Sequence, residues 1–223
     1  MGNTKVITID GPAGAGKSTV AKALAHRLKF SYLDTGAMYR ALTLKALRED
    51  VNLESEEDLV ALANKTTIDL QGDTTAGLKV FLDEQDVSEE IRTIEVTNNT
   101  FYIARAPKVR EIMVEMQRAI GTKKNIVVEG RDVGTVVFPD ATNKFYLDAN
   151  FEERAQRRIK ELEEKGKDVE AEKLKAELQD RDNKDFTRKA GPLKKADDAV
   201  VIDSTPLSID GVVDEMMKYI KNG

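Results

Sequence analysis

No cysteine occurs among the 223 residues, which excludes a disulfide framework and any cysteine-ligated metal site. Histidine is nearly as scarce. The single His26 lies between Lys22 and Lys29 in a stretch of helical periodicity, so a surface or half-buried helix position is expected of it and histidine catalysis is set aside. No apolar run is long enough to span a bilayer, and Met1 leads toward the first apolar stretch without a charged, apolar or cleavable leader. A cytoplasmic protein with no membrane partner is therefore expected. Positive charge is in deficit as well. With 35 Lys and Arg against 40 Asp and Glu the net charge is −5, which argues against nucleic-acid binding but leaves room for local basic clusters. Repeats, low-complexity tracts and linkers are absent. A composition 40% apolar and 34% charged then describes one main globular domain with a heavily charged surface, large enough to carry a small inserted module.

Against these absences stands one strong motif. Gly11-Pro12-Ala13-Gly14-Ala15-Gly16-Lys17-Ser18-Thr19 fits G-x-x-x-x-G-K-[ST], in which glycines bare backbone N–H groups to phosphates, Lys17 reaches the outer phosphates and the Ser18 hydroxyl meets Mg²⁺. The flanks agree with it. Val6–Ile9 is a short β-branched run and Val20–Leu28 has helical periodicity, the order that sets a phosphate at a helix N-terminus. A glycine-rich turn with no ligand has no use for Lys and Ser at these offsets.

Further along, Phe30–Thr35 reads as a strand and Gly36 to about Glu49 as a helix. Ser55–Lys65 reads as another helix, opened by Ser55 and Asp58 in the manner of a capping box. The period then changes. Thr67–Leu70 and Leu78–Leu82 alternate like antiparallel strands joined by the turn-rich Gly72–Gly77, a small β insert apart from the core. Ser88–Gly121 reads as helix broken at Pro107, with Val109, Ile112, Met113, Met116 and Ile120 as core. Asn125–Glu129, Lys144–Asp148 and Ala199–Asp203 are buried-strand runs. A charged stretch from Phe151 to Arg188 and a helix from Ser208 to about Lys221 complete the chain. The fold class expected is α/β, a parallel sheet flanked by helices with its ligand at the carboxyl ends of the strands. Thr35, the Gly130–Asp132 segment and the P-loop each follow a strand, so they should meet in one crevice.

A P-loop alone says nucleotide; arginine narrows the chemistry. A kinase for a small phosphorylated acceptor needs charge to neutralise and align two phosphate groups more than it needs a base. Arg40 and Arg131 follow strands, and Arg154, Arg157 and Arg158 share one helix face by their spacing, a set that could close over ATP as a lid. Glu129 could hold a water of the Mg²⁺ shell or be a buried structural carboxylate. For Arg110 a surface pair with Glu111 or Glu115 competes with any functional role.

Several stretches together closely resemble the bacterial cytidylate kinase family, nearly end to end. They are Gly11–Thr19, Leu33-Asp34-Thr35-Gly36-Ala37-Met38-Tyr39-Arg40, Gly130-Arg131-Asp132-Val133-Gly134-Thr135-Val136-Val137, Glu153–Arg158, Arg181-Asp182 with Asp185 and Arg188, and Pro192–Ala199. The resemblance implies an adenylate-kinase-like fold, with a core about 1–35, 105–150 and 195–223, a nucleoside-monophosphate-binding insert about 36–104 and a lid about 151–190. It also implies transfer of the ATP γ-phosphoryl group, with Mg²⁺, to CMP or dCMP; a monomer is expected. Carried over by position, Thr35, Arg110, Asp132 and Arg188 belong to the cytosine side, Arg40 and Arg131 to the CMP phosphate, and Arg181 with Asp185 to the sugar, with Tyr39 among the substrate-binding residues. One position departs. Phe101 stands where the family pattern places a Ser that would help hold the sugar. The rival readings are a GTP-binding switch, suggested by Asp73–Gly77 and Asn183-Lys184-Asp185, each one residue off the switch spacing, or a P-loop kinase for UMP, AMP or shikimate.

Overall fold

The computed structural model describes residues 4–71, 79–164, 166 and 168–220. Five strands, β1 (Val6–Asp10), β2 (Ser31–Asp34), β6 (Ile126–Gly130), β7 (Asn143–Asp148) and β8 (Val200–Asp203), form a wholly parallel sheet in the order β2-β6-β1-β7-β8. Side chains alternate across it, and both faces are covered. Ile126 and Val128 of β6 enter the larger core, with α2 (Thr35–Arg48), α3 (Glu56–Asn64) and α5 (Pro107–Gly121), whereas Val127 joins Ile7 and Ile9 against α1 (Lys17–Leu28) and α8 (Ile209–Tyr219). Burial on both faces explains why these strands read as unbroken apolar runs.

A three-stranded antiparallel sheet, β3 (Ile68–Gln71), β4 (Lys79–Leu82) and β5 (Gln85–Asp86), lies apart and packs Ile68, Val80 and Leu82 into the larger core. The expected strand pair is present, and the two-residue β5 had no apolar signal to announce it. The expected turn at Gly72–Gly77 lies outside the described residues. Local caps set the helix starts. Asp34 accepts from Ala37 N (2.8 Å), so α2 begins at Thr35, one residue before the expected Gly36. Ser55 caps α3 through Asp58 N, Thr93 starts α4 (Ile94–Arg105), and Pro107 opens α5. The segment from Ser88 is thus a single 3-10 turn (Glu90–Arg92) before α4, not continuous helix. The charged stretch forms α6 (Phe151–Glu164) and α7 (Ala171–Thr187).

Candidate active site

All five parallel strands end in the same direction, and each has an acidic residue at or next to its carboxyl end: Asp10, Asp34, Glu129, Asp148 and Asp203. The P-loop leaves β1 over this edge. Gly11, Gly14 and Gly16 have φ of 153°, 77° and 89°, values that glycine alone adopts cheaply, and Gly16 precedes α1 with no side-chain cap, so the helix N-terminus stays open for an anion. Lys17 is buried and donates to Pro12 O (2.6 Å). Burial, then the neighbouring Arg131, pulls its ammonium down to about 7 despite Glu129. Ser18 and Thr19 are exposed at the mouth of the loop, and the Ser18 hydroxyl bonds with Glu129.

Glu129 is buried, accepts from Tyr32 Oη (2.6 Å) and stands beside Asp34 in the β2–β6 register. Burial and then Asp34 push its carboxyl up, as expected of an acid that lacks a full cationic partner. Burial also acts on Asp34, but Arg40 (2.9 Å) and the Ala37 N–H hold that carboxyl below its usual range. Arg40 still has its Nε buried without a hydrogen-bond partner. Thr35 directs its proton to Glu129 O (2.7 Å), leaving its lone pairs free to accept.

On the other side of the cleft, residues from α5, the loop after β6, and α7 with its C-terminal cap form one chain of charge. Arg110 of α5 pairs with Asp132 and donates to Ala104 O (3.2 Å), and its guanidinium lies 5.4 Å from the centre of the Tyr39 ring. Burial raises the Tyr39 phenol to about 12. Asp132 also meets Arg188 (3.4 Å), which donates to Gly191 O and lies 3.7 Å from Asp185, and Asp185 accepts from Arg131 Nε (2.7 Å). Burial, then Arg110, lowers the Arg188 guanidinium, while Asp185 holds that of Arg131 up against burial. Arg181 remains open to water within the cleft. Enclosure by its walls, then Arg131, brings that guanidinium down to about 10. The surface pair weighed for Arg110 is wrong. Only 4% of it is exposed, because α5 turns it inward beside Val109 and Met113.

The three arginines of α6 do not act as one face. Arg154 is buried and holds Ala13 O (2.8 Å), Ala149 O and Asp182 of α7 (2.5 Å), whose other oxygen accepts from Ala13 N (3.1 Å). It fastens the P-loop backbone to both α6 and α7. Arg157 donates to Ser204 O (2.7 Å) and Oγ (3.0 Å) near Gly16, and Arg158 reaches Glu161 (2.6 Å) at the rim.

A family model described as Cytidylate kinase matches residues 7–222. The chain is similar to a cytidylate kinase of Caldanaerobacter subterraneus subsp. tengcongensis, 50% identical over 218 residues, covering 98% of this chain and 95% of the relative. The chain belongs to the cytidylate kinase family. It is also similar to a cytidylate kinase of Desulforamulus reducens, 50% identical over 225 residues and covering 100% of both chains. Among solved structures, an uncharacterized protein from Eubacterium ventriosum has a TM-score of 0.50 at 15% identity, covering 99% of this chain and 100% of that one, a likeness of fold alone. The GTP-switch reading gains nothing. Residues 73–77 lie outside the described residues, and Asp185 of the second decoy is paired with Arg131 within α7.

Membership in the family sharpens the departure at Phe101. Its ring does not enter the helical core. It is half-buried, meets Tyr102 edge-on (6.2 Å between centroids), and has Arg105 at 5.5 Å and Lys184 of α7 at 5.3 Å. The neighbouring Thr100 hydroxyl donates to Val96 O (2.7 Å) beside Thr43. Sequence reasoning missed Asp182, Ser204 and Gly191 as parts of the site. Their contacts run to the P-loop backbone and to the arginines across 3 to 189 positions, and no local pattern marks them.

Proposed function

We propose that this cleft transfers the γ-phosphoryl group of ATP to CMP or dCMP, giving ADP and CDP or dCDP. The observation that carries the residue assignments is the continuous Arg110–Asp132–Arg188–Asp185–Arg131 chain facing the P-loop. ATP lies along Gly11–Thr19, its outer phosphates against Lys17. As phosphate oxygens replace water near Lys17, its proton is held more firmly and its charge is available to the transferring group. Arg40, with its free Nε, and Arg131 take the acceptor phosphate; Arg181 and Asp185 take the sugar. Asp132 and Thr35 accept from the cytosine amino group. Uracil carries an acceptor oxygen there and is repelled, so UMP is a poor substrate. Tyr39, Arg110 and Arg188 hold Asp132 and the base edge.

The residues fit Mg²⁺ bound together with nucleotide. The Ser18 hydroxyl and the raised Glu129 carboxyl stand at the loop mouth, and among the described residues no cluster of three or more His, Asp or Glu could hold a metal by itself. Ser18 and Glu129 would hold the ion or a water of its shell, and the ion would supply charge neutralisation on the transferring group. Residues 36–104 act as the acceptor-holding insert and 151–190 as the lid, with Arg157 and Arg158 reaching the ATP phosphates on closure while Arg154 steadies the loop beneath them. No described helix is long and apolar enough to cross a membrane. ADP release from ATP is measured with CMP, dCMP, UMP, AMP and shikimate as acceptors. Strong turnover with CMP and dCMP alone is expected; comparable kcat/KM with UMP would remove the base-reading role from Asp132.

A further inference from the structure

Asp10 ends β1 just before the P-loop, only 4% of it is exposed, and no Lys or Arg among the described residues is within ion-pair distance of it. Its two carboxylate oxygens each accept one backbone N–H, from Val133 (2.8 Å) and Gly134 (2.7 Å). Those two residues open the single π-helical turn Val133–Val137, and they follow Asp132 directly. Donors at the start of such a turn have no partner within it. A carboxylate can satisfy both, whereas an amide has one accepting oxygen and would point its NH₂ at the second donor.

We infer that Asp10 is a positioning residue that fixes the orientation of Asp132 and thereby the choice of acceptor base. This inference rests on the base-reading role proposed for Asp132. On the N-terminal side of Asp132 the backbone is held by the β1–β6 pairing, Asp10 opposite Gly130. On the C-terminal side it is held by the Asp10 carboxylate. With both neighbours fixed, the Cα–Cβ direction of Asp132 is set, and from it the carboxylate reaches Arg110 and Arg188.

The glycine at 134 belongs to the same device. A Cβ there would stand 2.9 Å from Thr8 Oγ1 and 3.3 Å from Asp10 Oδ2, so only glycine lets the turn approach the carboxylate this closely. The Thr8 hydroxyl, buried and without a hydrogen-bond partner, marks how tightly the turn is pressed onto β1. Around Asp10 lie Asp132, which opposes its charge, Lys17, which favours it, Tyr146 across the strand and the aliphatic chain of Lys144 beside Gly134. Burial raises the carboxyl to about 6 even against its two N–H donors, a strain on ionisation that a merely space-filling side chain would not impose.

The test is steady-state kinetics of the wild type, Asp10→Asn and Asp132→Asn with ATP and either CMP or UMP, with melting temperature recorded for each. For Asp10→Asn the preference for CMP over UMP in kcat/KM is expected to fall by on the order of tenfold, the effect of one lost charge-assisted bond, through a raised KM for CMP. The KM for ATP stays within about twofold. An unchanged preference in folded Asp10→Asn, beside a wild type that prefers CMP and an Asp132→Asn that does not, overturns the inference and leaves the reading of Asp132 standing. Equal losses toward ATP and CMP also overturn it, making Asp10 a support of the P-loop. A wild type without preference for CMP overturns both. If Asp10→Asn does not fold, Gly134→Ala displaces the same peptide from the other side; it should show the same selective loss, and an unchanged preference there refutes the inference.

Discussion

Replacing Asp185 by Asn removes one negative charge from the point where three guanidinium groups converge and leaves the side-chain volume nearly unchanged. The carboxylate accepts from Arg131 Nε at 2.7 Å, lies 3.7 Å from Arg188 Nη1 and is attracted by Arg181. Burial by itself raises this carboxyl, yet the arginines, Arg131 foremost, hold it below the usual carboxylate range. A charge-assisted hydrogen bond contributes about 1.5–3 kcal/mol, so kcat/KM should fall roughly tenfold to a hundredfold. Both CMP and dCMP should suffer, because Arg131 loses the partner that aims it at the acceptor phosphate. The assay is ADP release at saturating ATP, with melting temperature followed against pH. Because the folded carboxyl is depressed, its contribution to stability is full above its unfolded value of about 3.9 and is lost as pH falls through the folded value. The gap in melting temperature between wild type and Asp185→Asn should therefore be full at neutral pH and close below about pH 4. Less than a threefold loss with both nucleotides, or a gap undiminished at pH 3, would refute the argument from charge.

Two further predictions address the lid and the departure from the family pattern. Asp182→Asn leaves the buried Arg154 without its counter-charge and weakens the tie to Ala13 N, so stability should fall by about 3–5 kcal/mol and the KM for ATP should rise; a drop in melting temperature of on the order of 10 °C checks it, and no change would show the joint to be idle. Phe101→Ser should change the CMP to dCMP ratio of kcat/KM while altering stability by no more than about 1 kcal/mol, since the ring is half-buried against Arg105 and Lys184. Lost stability with an unchanged ratio would place the ring among the packing residues instead.

Much of the fold was legible because the signals were local. Strand β6 is covered on both faces, so its residues had to be apolar throughout, and the reading of Asn125–Glu129 as a central strand differs from the structure by one residue at each end. Helix α5 was readable from Val109, Met113 and their neighbours because one face packs and the other is wet. What differs has causes that periodicity does not carry. Thr35 reads as the end of a strand by its neighbours, yet the Asp34 side chain caps α2, so Thr35 becomes the first residue of the helix. The π-helical turn after Asp132 has no periodicity of its own, and what shapes it is a carboxylate 123 residues earlier.

The candidate site was legible in membership and illegible in wiring. The P-loop declares itself because its chemistry needs fixed offsets within nine residues. The charge chain declares nothing, since Arg110, Asp132, Asp185 and Arg188 are drawn from α5, the loop after β6, and α7 with its C-terminal cap, and any of them could equally be a solvated surface charge. Burial separates the cases. A guanidinium as enclosed as that of Arg110 or Arg154 must have a carboxylate beside it, because an unpaired buried charge is strongly destabilising. The same requirement sorts the arginines of α6. Arg154 is paired inside the protein, with Asp182 and the carbonyl of Ala13. Among the described residues, Arg157 is matched by the half-exposed Glu153 and by Ser204, and Arg158 by the half-exposed Glu161. Spacing along α6 groups the three; the depth of each side chain divides the buried Arg154 from the half-buried Arg157 and Arg158.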